Sequence, residues 1–368
     1  MMRMIRVERC FCVTLMAVAF CGMVDARAFG TEVSPLAIQR QGSFMIGGTT
    51  ATHEGEFVFS DLWSQAGQTA YGDHAYVFYQ VPADARKLPM VFLHGGGQSK
   101  KTWESTPDGR EGFQNIFLRR GFATYLVDQP RRGEAGLTTV SMDAPLTPAH
   151  YDRTMFTLFR LGRWPDFYPD TQFPQDAKSL EQFYRQGTPN TGPLDFDVVA
   201  DAMAALLDEI GPSILVTHSQ GGGCGWLTAL RTDNVRAIVA YEPGGSVRIF
   251  PEGEVPETIE TSFGPVAGTG IPLDDFKKLT RMPIILFFGD HIATGPTDNY
   301  GQDQWRAELK MARDFAAAVE RHGGDATVVH LPEIGIKGNT HFMFSDMNNL
   351  EIADLLSKWL AEKGLDGR

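Results

Sequence analysis

The residue of this chain best suited to act as a nucleophile is the serine at the apex of Thr217-His218-Ser219-Gln220-Gly221-Gly222. The apolar run before it, residues 214–216, reads as a strand, and the glycines after it open a helix. Such a strand-to-helix turn lifts the serine hydroxyl above the sheet and sets a helix N-terminus beneath it. Thr217 departs from the G-x-S-x-G form of this turn, adding bulk where the first glycine is usual. A serine used this way needs backbone N–H groups aimed at a developing oxyanion. His94-Gly95-Gly96-Gly97 follows the apolar run 89–93 (PMVFL), where close approach of the backbone is sterically open. The expected donors are Gly96 or Gly95 together with Gln220.

The serine also needs a base and a carboxylate to orient it. Nine histidines are present. His330 lies within the last apolar strand, His322 ends a helix, and His291 precedes the position where a base should sit. His341, in Gly338-Asn339-Thr340-His341-Phe342, lies in a loop between the last strand and the last helix and is the predicted base. Two carboxylates compete for the third role. Asp290 ends the strand that most often carries such an acid, and Glu242 ends the strand before it. Pattern alone favours Asp290 narrowly and leaves Glu242 open.

These residues must be held by a sheet. Short β-type segments come first, at residues 43–46, 56–60 and 74–81. From residue 89 onward, buried strands (89–93, 123–127, 214–217, 235–241, 282–288, 327–331) alternate with helices (111–120, 194–210, 222–231, 302–322, 348–363). This alternation predicts a doubly wound, mainly parallel sheet. Residues 138–193 interrupt it and are too long for a connection. That stretch is rich in aromatic residues and prolines and reads as an inserted lid. Phe156, Phe159 and Trp164 of the lid are candidate substrate contacts, as are His94 and His218 beside the two turns.

Residues 1–28 read as a secretory signal: Arg3, Arg6 and Arg9, an apolar run from 10 to 24, then Ala26-Arg27-Ala28. No later run is long and apolar enough to span a bilayer. The remaining 29–368 would form one domain, secreted or periplasmic. The net charge of −12 becomes −14 once four arginines and two acids leave with the signal, which argues against nucleic acid as a partner. Of four cysteines only Cys224 stays, excluding an internal disulfide or a cysteine metal cluster.

The run Trp103-Glu104-Ser105-Thr106-Pro107-Asp108-Gly109-Arg110-Glu111-Gly112, just after the glycine loop, resembles the 713-type bacterial esterases. Phe117-Leu118-Arg119-Arg120-Gly121, Val127-Asp128-Gln129-Pro130, the serine turn, the His341 loop and Asn348-Asn349-Leu350 are similar as well. The resemblance runs from about Gly42 to the final helix and is weakest in the lid. It implies the α/β-hydrolase fold and ester hydrolysis but leaves the natural substrate open; the aromatic lid points to a small ester of apolar or aromatic character, and the serine chemistry needs no metal or organic cofactor. In that family the acid is a glutamate after the strand following the serine turn, which maps onto Glu242. An amidase, lactonase or peptidase would use the same three groups. A non-catalytic binding relative typically lacks one of these elements, and all are present here.

Overall fold

The computed structural model describes residues 34–140, 151–245 and 247–368. The predicted signal segment, with Cys10, Cys12 and Cys21, lies outside the described residues, as do residues 141–150 of the predicted lid.

Continuous apolar runs dictate the centre of the molecule. Strands β1 (Ile38–Thr52), β2 (Thr69–Pro82), β3 (Met90–Leu93) and β4 (Thr124–Asp128) precede β5 (Ser213–His218), β6 (Val235–Tyr241), β7 (Pro283–Phe288) and β8 (Asp325–His330). They form one eight-stranded sheet in the order β1-β2-β4-β3-β5-β6-β7-β8. The β1–β2 and β2–β4 pairings are antiparallel and the others parallel. Every residue of β3, β4 and β5 is buried, as strands covered on both faces must be. β1, at the edge, alternates half-buried and exposed residues instead.

Residues 56–60 are not a strand. They belong to the connection between β1 and β2, where Phe57 and Phe59 pack on each other at 5.1 Å. The apolar spacing there had no neighbouring strand to pair with, so a local β pattern did not become sheet.

Helices cover both faces. α1 (Phe113–Arg119) lies on one side; α2 (Asp152–Leu158) and α3 (Ala177–Arg185) belong to the insertion. α4 (Phe196–Ile210), α5 (Gly221–Arg231), α6 (Tyr300–Arg321) and α7 (Asn349–Glu362) follow. One core joins Val199, Met203 and Leu206 of α4 to Trp226 of α5 and Phe315 of α6. The other joins Phe113 and Phe117 of α1 to Ile352, Leu356 and Trp359 of α7. Phe156, Phe159, Phe173 and Phe183 of the insertion enter this second core, so the insertion is packed into the domain rather than onto a core of its own. A second excursion, between the short strands Ile249–Pro251 and Thr269–Ile271, faces the insertion's end of the sheet and was not legible as structure in the sequence. Among the described residues no helix is long and apolar enough to cross a membrane.

Candidate active site

β5 ends at His218 and α5 begins at Gly221, leaving Ser219 at the apex between them. Ser219 has a left-handed φ of +52°, a conformation that costs a non-glycine residue on the order of 1 kcal/mol or more. The turn is held from its backbone. Ser219 N–H donates to Tyr241 O at 2.9 Å, and Ser219 O accepts from Gly222 N–H at 2.9 Å and Gly244 N–H at 3.2 Å. A Cβ on Gly221 would sit 2.7 Å from His94 O, so glycine is required where α5 meets the glycine loop.

The helix accommodates Thr217. A Cβ on Gly225 would fall 2.9 Å from Thr217 Cγ2, so the threonine methyl occupies the space that this glycine leaves. The bulk that Thr217 brings to the strand is therefore absorbed one turn into the helix. Gly225→Ala is expected to cost about 1–3 kcal/mol from overpacking, measured by urea denaturation, despite alanine's better helix propensity. Adding Thr217→Ser, which removes the methyl, should restore most of that loss. A Gly225→Ala variant as stable as the parent would overturn this account of the turn.

His341 is fully buried, in the loop after β8. Its Nδ1–H donates to Glu242 Oε2 at 2.5 Å. Glu242 is also fully buried, follows β6 directly and has a φ of +43°. Its Oε1 accepts from Gly289 N–H at 2.7 Å and from an Arg160 guanidinium nitrogen, Nη2. Burial alone would raise the Glu242 pKa. The Arg160 charge and the His341 bond outweigh burial and hold it at about 2. His341 is shifted below its ordinary value, first by burial and then by Arg160, against the upward pull of Glu242. Its Nε2 has no hydrogen-bond partner among the described residues.

Asp290, the alternative acid, does not reach the imidazole. Its carboxylate oxygens accept from His291 N–H at 2.6 Å and Gly338 N–H at 2.9 Å, tying the ends of two loops together. Of the competing histidines, His291 stacks on Tyr168 at 3.9 Å, His322 faces Glu254 at 2.7 Å and His330 faces Glu333 at 3.3 Å.

The imidazole of His341 is stacked on Phe159 at 5.1 Å and lies 4.3 Å from the ring of Trp305. Phe159 and Trp305 line a cavity of about 370 Å³ together with Ser219, Gln220 and Gly96. Phe263, Pro265 and Val266 of the second excursion and Tyr300 of α6 supply further apolar wall, while Gln304 and Arg248 supply polar groups. In the glycine loop, Gly95 O accepts from Arg132 Nη1 and from His94 Nδ1, each at 2.9 Å. A trans peptide turns its N–H opposite to its carbonyl, so this pair directs the Gly96 N–H away from Arg132.

Four predicted substrate contacts do not line this cavity. His94 is fully buried and braces the loop, with its carbonyl accepting from Gln129 Nε2 at 2.6 Å. His218 lies behind His341, its Nε2 3.1 Å from His341 O. Phe156 is buried against Trp164 and Phe167, and Trp164, 37% exposed, packs on Phe156 away from the cavity. Phe159 alone of that set is a lining residue. Trp305 escaped notice because it shares helical spacing with Leu309 and Ala312 and reads as core. Arg160 carried one signal, a charge inside an otherwise apolar run, and nothing local named its partner.

A family model described as "Alpha/beta hydrolase family" matches residues 90–334. The chain is similar to a probable secreted lipase, phiG, of Fungal sp. (strain ATCC 74256), with 30% identity, covering 78% of this chain and 86% of that protein. It is similar also to the solved structure of a novel bacterial esterase, with 31% identity and a TM-score of 0.72, covering 90% of this chain and 98% of that one.

Proposed function

Because this chain belongs to the alpha/beta hydrolase family, we propose that it is an exported serine hydrolase cleaving small carboxylic esters through Ser219, His341 and Glu242. The observation that carries the proposal is the buried Glu242–His341 bond beside the cavity that Ser219 lines. With Nδ1–H donating its hydrogen bond to Glu242, the neutral imidazole keeps Nε2 unprotonated and able to take the serine proton. Ser219 Oγ then attacks the ester carbonyl, and the N–H groups of Gly96 and Gln220 hold the oxyanion at the α5 N-terminus. His341 passes the proton to the departing alcohol, and water releases the acid from the acyl-enzyme by the reverse steps. The aromatic lining supports an apolar or aromatic ester. Residues 1–28 would deliver the protein outside the cytoplasm.

A fluorophosphonate probe with peptide mapping tests the reading. It should label Ser219 alone, and a panel should show esters turned over well above matched amides. No label, or a label elsewhere, sinks the proposal. The pH profile adds a check whose sign follows from the burial of His341. Imidazolium cannot serve as base, so kcat/KM should fall on the acid side. Because His341 sits below its ordinary value, the plateau should extend below pH 6.5 before that fall begins. A limb centred well above 6.5 would contradict the assignment.

A further inference from the structure

We propose that Arg160, delivered by the insertion, is a positioning residue that clamps Glu242 to the loop after β7 and sets the basicity of His341. The inference rests on the reading of Ser219, His341 and Glu242 just given.

A guanidinium with no exposure at all is costly to bury and needs a reason. Arg160 Nε donates to Asp290 O at 2.8 Å while Nη2 donates to Glu242 Oε1, so one rigid fork spans two strand ends. Its Nη1 is buried with no partner among the described residues, which is not how a residue selected for stability alone would sit. The backbone at Arg160 is left-handed, with φ of +58°. That local strain is tolerated where surrounding contacts fix it. The guanidinium also lies 5.6 Å from the ring of Trp305. The preceding residue completes the arrangement: Phe159 O accepts the His341 N–H at 3.1 Å, and the Phe159 ring covers the imidazole. Two consecutive residues thus hold the histidine's backbone, its ring face and its carboxylate partner.

The electrostatic consequence follows from the other groups facing His341. Glu242 and Glu308 both favour imidazolium, and Glu308 is itself paired with Arg248. His218 packs against the His341 ring at 4.4 Å and is kept neutral, mainly by burial. Asp346, which receives Thr340 N–H at 2.7 Å, is pushed up to about 7 by burial. Among these groups Arg160 is the cation bound to the carboxylate that holds the imidazole, and it weakens the pull of Glu242 on a proton at His341. Removing it leaves both glutamates less opposed, so His341 should hold its proton to higher pH.

The test compares kcat/KM against pH on one ester for the wild type, Arg160→Met and Arg160→Lys, with thermal melting of each. Arg160→Met should move the acid limb up by about one pH unit and lower kcat roughly ten- to a hundredfold. Arg160→Lys should keep the limb near its original place yet still lose rate, because an ammonium cannot span both acceptors. An Arg160→Met enzyme with an unmoved limb and only a lower melting temperature would make Arg160 a strut and overturn the proposal. Should Arg160→Met fail to fold, Arg160→Lys decides: lowered kcat on an unmoved limb upholds it, and wild-type rate overturns it. Failure of the ester reading itself would appear earlier, as wild-type protein that neither turns over esters nor labels at Ser219.

Discussion

Ser219→Ala should abolish turnover, lowering kcat by about 10⁶-fold, with no loss of folded protein. The size of the effect follows from the division of labour in the site. In the proposed mechanism His341, Glu242 and the backbone donors act only through an oxygen placed at the apex of the turn, so without it the remaining groups would have nothing to activate. The fold should be indifferent, because Ser219 contributes to the turn through its backbone N–H and carbonyl. Its side chain even carries a cost there, since φ is +52°. Ser219→Gly should therefore be as inactive as Ser219→Ala and yet melt higher, by an amount reflecting about 1 kcal/mol of relieved strain. Matched melting curves and single-turnover assays on the two variants separate function from strain. Residual activity above a hundredth of wild type in either one would remove Ser219 from the nucleophile's role.

Glu242→Gln should lower kcat by about 10⁴-fold, whereas Asp290→Asn should change it less than tenfold. The carboxylate of Glu242 is surrounded only by donors: His341 Nδ1–H on one oxygen, Gly289 N–H and Arg160 on the other. A glutamine must turn its NH₂ toward one side. Facing His341, it would force the imidazole to present a lone pair at Nδ1 and carry its proton on Nε2, the wrong tautomer for accepting a proton from serine. Facing Arg160 and Gly289, it would place donor against donor in a fully buried site. Asp290 receives only backbone N–H groups, so an amide there can keep one of the two bonds. Equal losses in the two variants would return the choice of acid to open ground.

What could be read from sequence was what local pattern controls. The serine turn announces itself because strand, apex and helix are contiguous in the chain, and the His94-Gly95-Gly96-Gly97 loop because it directly follows an apolar strand. The alternation from residue 89 onward anticipated the parallel part of the sheet for the same reason. The acid was ambiguous from pattern because Glu242 directly follows one strand and Asp290 lies two residues past the end of the adjacent parallel one. The family resemblance pointed to Glu242, and the path of the His341 loop, a tertiary fact, brings the imidazole to Glu242 rather than Asp290. That only Phe159 of the predicted substrate contacts lines the cavity has a similar origin. Phe156, Phe159 and Trp164 are chemically alike in a single aromatic run, but α2 ends at Leu158, and of this stretch only Leu158 and Phe159 line the cavity. Trp305 and the 263–266 stretch were hidden for the opposite reason, one by regular helical spacing and the other by lacking any spacing.

The bonding of the insertion bears on how such an enzyme could be re-engineered or diversified. Phe159 O holds His341 N–H, Leu158 O holds Trp305 Nε1–H, and Gln172 N–H reaches Gly338 O, so insertion and scaffold share backbone connections around one histidine. A segment wired in this manner is not an interchangeable cassette. Grafting a foreign lid between β4 and α4 would discard a buried cation and two carbonyl supports together with the substrate-facing surface. Changes in selectivity are therefore more accessible through the wall at Phe263, Pro265 and Val266, which can be redrawn while the charge balance of the site stays intact.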